Sequence, residues 1–407
     1  MGAGLLKILL LTQVLPYPPD SGPKIKTFNV LKYLSACHQV YLVSFVRSAA
    51  EVAHASALRD YCQEVHTVPI RRSVWRDAWF FACSLLANQP FIIARDRSRP
   101  MHTTIAKLMA KERFDVVHAD QLNMAQYAVT LQGVHKVLDA HNAVWTIFHQ
   151  MWQNTPPGPR KWALRMEWQK LKWYEGEVGR QFDAILAVSE EDREALVSAG
   201  CPDSRLTVIP IAIDTQETRV IQRDSNARSI IHIGTMFWPP NIEGILWFAR
   251  QVYPLIQGKV PQVRLYLVGA RPPAEIRALE KQDTSIRVTG YVEDVVPYLQ
   301  DSAVFVVPLH VGSGMRVKIL EAWAWGTPIV TTSVGCAGIP VHPGEDILIA
   351  DTAEDFAAAV VQVLQDGETG AKLSVNGRRY VEDQFDWRVV CQKLDEVYER
   401  IASSGRD

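Results

Sequence analysis

Residues 311 to 332 read VGSGMRVKILEAWAWGTPIVTT and follow directly on the apolar run SAVFVVPLH at 302–310. Gly312, Gly314, Met315, Arg316, Val317, Lys318 and Glu321 therefore fall where a strand hands over to a helix. Glycines at such a point let the backbone approach a ligand and adopt positive φ. The free N–H groups of the helix start, near Met315 to Val317, favour an anion. Arg316 and Lys318 place two cations at an end where the helix dipole by itself prefers acids; a phosphate or diphosphate would offset that. Glu321, one turn further in, suits bidentate hydrogen bonding to vicinal hydroxyls such as those of a ribose. The same spacing would also serve plain surface contacts, worth about 0.2–0.5 kcal/mol each. The run GSGMRV is not a GxGxxG dinucleotide loop, and no GxxxxGK[ST] phosphate loop occurs, which argues against an NTPase.

A loop of this kind needs a parallel sheet behind it. Apolar runs recur at 7–15, 39–46, 64–70, 114–120, 135–142, 182–189 and 206–213, then at 228–235, 263–270, 286–292, 303–309, 326–332 and 346–350. Short runs without polar alternation suit parallel strands buried on both faces. Helical segments such as 241–257 and 353–365 separate them. Strand–helix alternation in both halves predicts an α/β protein of two doubly wound, Rossmann-like domains, and 407 residues exceed what one core usually serves. The polar stretch 214–229 is the expected boundary, giving domains 1–214 and 215–385, with helical periodicity resuming in a terminal segment, 386–407. Ligands of such domains bind at the carboxyl ends of the strands.

Charge is balanced, Lys+Arg 43 against Asp+Glu 44, so nothing global calls for nucleic acid. The six cysteines are scattered, with no CxxC and no histidines at zinc-finger spacing. A reducing compartment and no structural metal are expected. The start, MGAGLLKILLLTQVLPYPP, has one lysine, a short apolar run and no small-residue cleavage site, so it reads as a first buried strand. No apolar run reaches the ~18 residues of a spanning helix.

The segment PLHVGSGMRVKILEAWAWGTPIVTT resembles the nucleotide-sugar signature of retaining glycosyltransferases of the GT-B, family 4 type, in the branch reading PLxxGGGxRxKxLEAxAxGxPVV. HIGTMFWPPNIEGILWF (232–248), LYLVGARP (265–272), VTGYVEDVVPYL (288–299), LPYPPDSGPKIKTFNVLKYLS (15–35) and LDAHN (138–142) resemble further segments of that family in the expected order. The resemblance implies a GT-B fold, with an N-terminal acceptor domain, a C-terminal donor domain and a last helix returning to the first. It implies metal-independent transfer of a sugar from a nucleoside diphosphate sugar, UDP- or GDP-linked, with retention and no separate cofactor. The acceptor would be a glycan, a lipid-linked species or a small molecule. The implied donor-binding residues are Gly234, Thr235, Trp238, Asn241, Gly269, Tyr291, Val292, Gly314, Met315, Val317 and Glu321. Arg316 and Lys318 would stabilise the leaving diphosphate, with His118 and Asp120 as the other catalytic candidates. Ser313 stands where the family carries its first Glu, and Asp120 where it often has a His. Thr235-Met236-Phe237-Trp238 replaces its usual Arg- and Lys-bearing loop, and IPIAID lacks its Asn-Gly. A nucleotide-sugar-binding protein without turnover, or a GT-B epimerase, is the alternative.

Ser21, Gly22 and Lys24 lie in a loop that would grip the acceptor or the diphosphate, although Pro-Pro-Asp-Ser-Gly is also a plain turn sequence. His118, His141 and Asn142 fall at predicted strand ends, where a histidine serves function or structure equally well. Residues 71–99 and 145–174 are rich in Trp, Arg and Lys on helical stretches. They suit an anionic membrane surface or a lipid-linked acceptor, or else helix packing with snorkelling cations. Expected localisation is cytoplasmic, peripheral at the inner membrane face.

Overall fold

The computed structural model describes residues 5–70, 72–87, 89–224, 227–312 and 314–403; Arg71 and Ser313 lie outside them. The chain forms two compact units, Met1–Ala212 with Trp387–Asp407, and Ile213–Asp386.

The first unit is built on β1 (Lys7–Thr12), β2 (Gln39–Val46), β3 (Glu64–Pro69), β4 (Val116–Asp120), β5 (His135–Asp139), β6 (Ala184–Ala187) and β7 (Leu206–Val208), all parallel, in the order β3-β2-β1-β4-β5-β6-β7. Strand β1 shows why the apolar runs carry no alternation. Leu9 and Leu11 enter one core cluster and Ile8 and Leu10 another, and all four are fully buried. The second unit is built on β8 (Ser229–Ile233), β9 (Arg264–Val268), β10 (Ile286–Gly290), β11 (Ser302–Val307), β12 (Ile329–Thr331) and β13 (Leu348–Ile349), in the order β10-β9-β8-β11-β12-β13. In each sheet the chain winds outward, then returns beside its first strand, at β1/β4 and at β8/β11. Loops diverge at such a switch point and leave a crevice at the carboxyl edge.

Seven helices matter below: α1 (Gly22–Cys37), α2 (Val74–Ala87), α3 (Val144–Gln153), α4 (Pro159–Gly179), α5 (Pro239–Trp247), α6 (Val317–Ala324) and α7 (Gln392–Ser403). Three stretches differ from their sequence reading. The expected helix 241–257 widens by one turn over Phe248–Val252, because Pro254 cannot donate to the fourth residue back. The helix expected over 385–402 is instead broken at Asp386: a preceding helix, Gly367–Phe385, ends there and helix resumes at Trp387, the Asp386 carboxylate accepting from the Thr215 amide at 3.1 Å and the Thr215 hydroxyl at 2.5 Å. The strand expected at 206–213 ends at Val208, and Ile213 instead makes an isolated bridge to Asp386. The terminal segment packs in the first unit: Leu394, Val397, Tyr398 and Ile401 of α7 join the cluster of Ile8 and Leu10.

Candidate active site

In the second unit the loop after β11 reaches α6 through Gly314, whose φ of 79° only glycine takes without strain. Arg316 is the N-cap residue of α6, and Met315 is buried beneath it. Lys318 points back from the first turn and donates to Asn241 Oδ1 at 3.3 Å. Asn241, on α5, donates in turn to the Thr235 carbonyl at 2.7 Å. A Cβ on Gly234 would lie 2.8 Å from Lys318 Nζ, so a side chain at 234 would take the place of the ammonium. A Cβ on Gly269 would strike the Gly234 carbonyl oxygen, which is how the loops after β8 and β9 pack together. Gly234, Thr235, Asn241, Gly269, Arg316 and Lys318 thus form one neighbourhood at the carboxyl edge. Trp238, the N-cap residue of α5, is exposed there. Tyr291 and Val292 follow β10, two strands from β8 and three from β11, and Tyr291 is exposed.

Side-chain accessibility leaves Lys318 and Glu321 some surface, but their charged ends are enclosed by protein and that enclosure governs their proton affinity. Lost hydration, then the neighbouring Arg316, draws Lys318 down to about 8, against the pull of Glu321. Lost hydration raises Glu321 to about 7, with Lys318 opposing. Burial also lowers Arg316. Cations stripped of water act on an anion far more strongly than cations in solvent.

His232, on β8, completes this group. Its Nδ1 pairs with the Val306 carbonyl at 2.8 Å, which makes Nδ1 the donor. Burial first and the Lys318 charge second draw its pKa down to about 3. The ring is therefore neutral, with Nε2 lying 3.3 Å from where a Gly234 Cβ would stand. A histidine interrupting the apolar run SIIHI was the available signal.

The first unit gathers a second group at the carboxyl ends of β1, β4 and β5. Asp120 accepts from the Thr27 hydroxyl at 2.8 Å and pairs with His141 Nε2 at 2.9 Å. His118 Nδ1 meets the Tyr398 hydroxyl at 2.7 Å, and its Nε2 stands 3.7 Å from Asp139 Oδ2, an ion-pair separation longer than a hydrogen bond. Asp139 forms a fully buried ion pair with Lys26. Burial alone would raise Asp139; the Lys26 ammonium and the two histidines outweigh it and hold the carboxyl well below the usual range. Lys26 and Asp139 were not singled out from sequence. Lys24 was, and it lies outside the group, pairing with exposed Asp20 at 2.9 Å. Ser21 is an exposed N-cap residue of α1, Gly22 its first residue, and Asn142 is half-buried beside His141.

Asp120, Asp139 and His141 offer ligand-type atoms within 4.8 Å of one another. Lys26 already sits on Asp139, and a divalent ion there would face that ammonium, so the geometry favours an ion-pair network. It is also rich in bonding capacity: Thr12 Oγ1, His118 Nε2, Asp120 Oδ2, Asp139 Oδ2 and His141 Nδ1 are buried without a hydrogen-bond partner among the described residues. Such atoms ask for water or a substrate hydroxyl.

The family described as Glycosyltransferase Family 4 matches residues 27–217, and the one described as Glycosyl transferases group 1 matches 227–366. An uncharacterized 44.6 kDa protein in the cps region of Klebsiella pneumoniae is 20% identical over 399 residues, 96% of this chain and 99% of that protein. A GDP-mannose-dependent alpha-(1-6)-phosphatidylinositol monomannoside mannosyltransferase of Mycolicibacterium smegmatis is 25% identical over 245 residues, 54% of this chain and 63% of that protein. Among solved structures, Anabaena Alr3699/HepE in complex with UDP and glucose superposes with a TM-score of 0.67 at 14% identity, covering 97% of this chain and 100% of that one. The fold is GT-B, two parallel-sheet α/β units of seven and six strands. Through both of its halves the chain belongs to the family-4-type glycosyltransferases, and it is a transferase.

Proposed function

We propose that the protein moves a sugar from a UDP- or GDP-linked donor to a glycan or lipid-linked acceptor, with retention and without a metal. The observation that carries this reading is the cation pair Arg316 and Lys318 at the start of α6, linked through Asn241 to the loop after β8. These cations would neutralise the charge growing on the departing diphosphate, the part a metal plays elsewhere. Glu321 would accept from the ribose hydroxyls. The Asp120–His141 pair would orient the acceptor hydroxyl or draw its proton. The Anabaena protein was solved with UDP and glucose, the Mycolicibacterium relative uses GDP-mannose, and the Klebsiella relative lies in a cps region; all three favour a nucleotide-sugar reaction, the last one polysaccharide assembly. The described free cysteines suit a cytoplasmic setting, and no helix among the described residues is long and apolar enough to cross a membrane.

Calorimetry with UDP, GDP, ADP and their sugars, with and without magnesium, tests the donor half. One nucleotide should bind selectively and equally well in both conditions. Transfer to acceptors and the anomeric configuration of the product, read by NMR, test the rest. Binding that requires magnesium, or an inverted product, would overturn the corresponding part.

A further inference from the structure

Two aromatic, basic stretches face different fates in the folded chain. In 145–174 the rings pack on one another: Trp145 and Trp168 at 6.2 Å, Trp152 and Trp168 at 6.0 Å, His149 and Trp168 at 4.9 Å. Three of its cations are used as well. Lys172 lies over Trp145 at 4.3 Å, Lys161 over Trp152 at 5.6 Å, and buried Lys170 donates to the Ser84 carbonyl at 2.9 Å. Trp162 and Trp173 stay exposed, but singly, eleven positions apart on α4.

Helix α2 is the opposite case. Val74, Trp75, Ala78, Trp79, Phe81 and Ala82 are all exposed, at i, i+1, i+4, i+5, i+7 and i+8, so its outward stripe is apolar without interruption. Trp75 keeps 87% and Trp79 68% of their surface. The Lys170 bond to Ser84 fastens the C-terminal turn of α2 to α4, holding this stripe outward. Beside it lies a recess of about 450 Å³ lined by Arg76, Phe80, Arg97, Ser98, Arg99 and Pro100. Arg72 and Arg95 are taken up by buried Asp96. Arg97 and Arg99 are exposed, and among the described residues neither joins an ion pair. Asp77, half-buried on α2, is the one acid of the helix.

We propose that α2 docks the first unit on an anionic phospholipid surface, lying in its plane with Trp75 and Trp79 at headgroup depth and Arg97 and Arg99 meeting lipid phosphates. A 14-residue helix is about 21 Å long, short of the ~30 Å hydrocarbon core, so it lies on the bilayer rather than crossing it. Unpaired guanidinium groups beside an aromatic stripe match phosphate headgroups over an acyl boundary. The docking stands on α2 itself, and it deepens the proposed function by naming where a lipid-linked acceptor would be met.

The test is co-sedimentation of the full chain with vesicles of phosphatidylcholine alone or with about 30 mol % phosphatidylglycerol. The wild type should bind the anionic vesicles, lose most binding in about 0.5 M salt, and ignore neutral ones. Trp75→Ser with Trp79→Ser, and separately Arg97→Glu with Arg99→Glu, should each weaken binding by about tenfold or more. All four side chains are exposed, so circular dichroism and nucleotide calorimetry should match wild type. No binding to anionic vesicles overturns the proposal, as does wild-type binding by both variants. A concentration-dependent dimer that the tryptophan variant dissolves, without vesicle binding, overturns it in favour of a second copy. Vesicle binding without any nucleotide binding would leave the docking standing and sink the transferase chemistry instead.

Discussion

The ammonium of Lys318 is useful to an anion only while it keeps its proton, and its surroundings bring that limit down to about 8. A bound diphosphate would favour the charged form, so binding takes up a proton when the pH stands above that value. Nucleoside diphosphate affinity should therefore fall as pH rises past about 8, by at most about tenfold per unit for one proton. Lys318→Met should flatten that dependence, and Arg316→Ala should weaken binding by about 1.5–3 kcal/mol, as for one charged hydrogen bond. Calorimetry across pH reads both; unchanged affinity in both variants would remove the diphosphate from this loop. Arg316, Lys318 and Glu321 were visible in sequence because they fall within six consecutive residues. Lys26 and Asp139 were not, because their partnership joins positions 113 apart in the chain, and no local pattern encodes such a meeting.

Elements meet through buried polar groups as well as apolar faces. Glu175, on α4, caps the start of α3 by accepting from Val144 N at 2.8 Å and Trp145 N at 3.0 Å. Burial nevertheless dominates and raises its carboxyl to about 8. The folded state thus holds a proton that the unfolded chain releases near 4.5, and this contribution to stability declines as pH rises from about 4.5 to about 8. Denaturant melts at both ends of that window should show a smaller decline in Glu175→Gln than in wild type; an equal decline would mean Glu175 is ionised in the fold. The break between α3 and α4 was legible, since Pro156-Pro157-Gly158-Pro159 leaves no run of backbone donors to continue a helix. The widened turn at Phe248–Val252 was not, because a proline inside an apolar helical period can either kink or end it.

At the scale of the whole molecule, the chain completes its first unit only after its second. Leu394, Val397, Tyr398 and Ile401 of α7 are buried in the first unit's core. Their burial contributes about 6–12 kcal/mol at ~1.5–3 kcal/mol each, comparable with the whole stability of a domain, about 5–15 kcal/mol. A chain ending at Asp386 should therefore lose the fold of its first unit, read as loss of near-ultraviolet circular dichroism and of soluble yield. Tyr398→Phe, which strips His118 Nδ1 of its partner, should cost only about 1–3 kcal/mol. A truncated chain as stable as the full one would show that α7 is dispensable.

What the sequence determined by itself was whatever repeats locally: unalternating apolar runs between helices, hence two parallel α/β sheets, and the glycine–cation–carboxylate turn after β11. Each is set by neighbours within a few residues, where backbone sterics and side-chain spacing decide. Tertiary structure decided what depends on distant partners. It placed neutral His232 beside Lys318, drew Lys26 onto Asp139, and packed Trp145, His149 and Trp152 around Trp168 while leaving the stripe of α2 uncovered. Burial, and the dielectric and proton affinities that follow from it, belongs to the packed chain and not to any stretch of it.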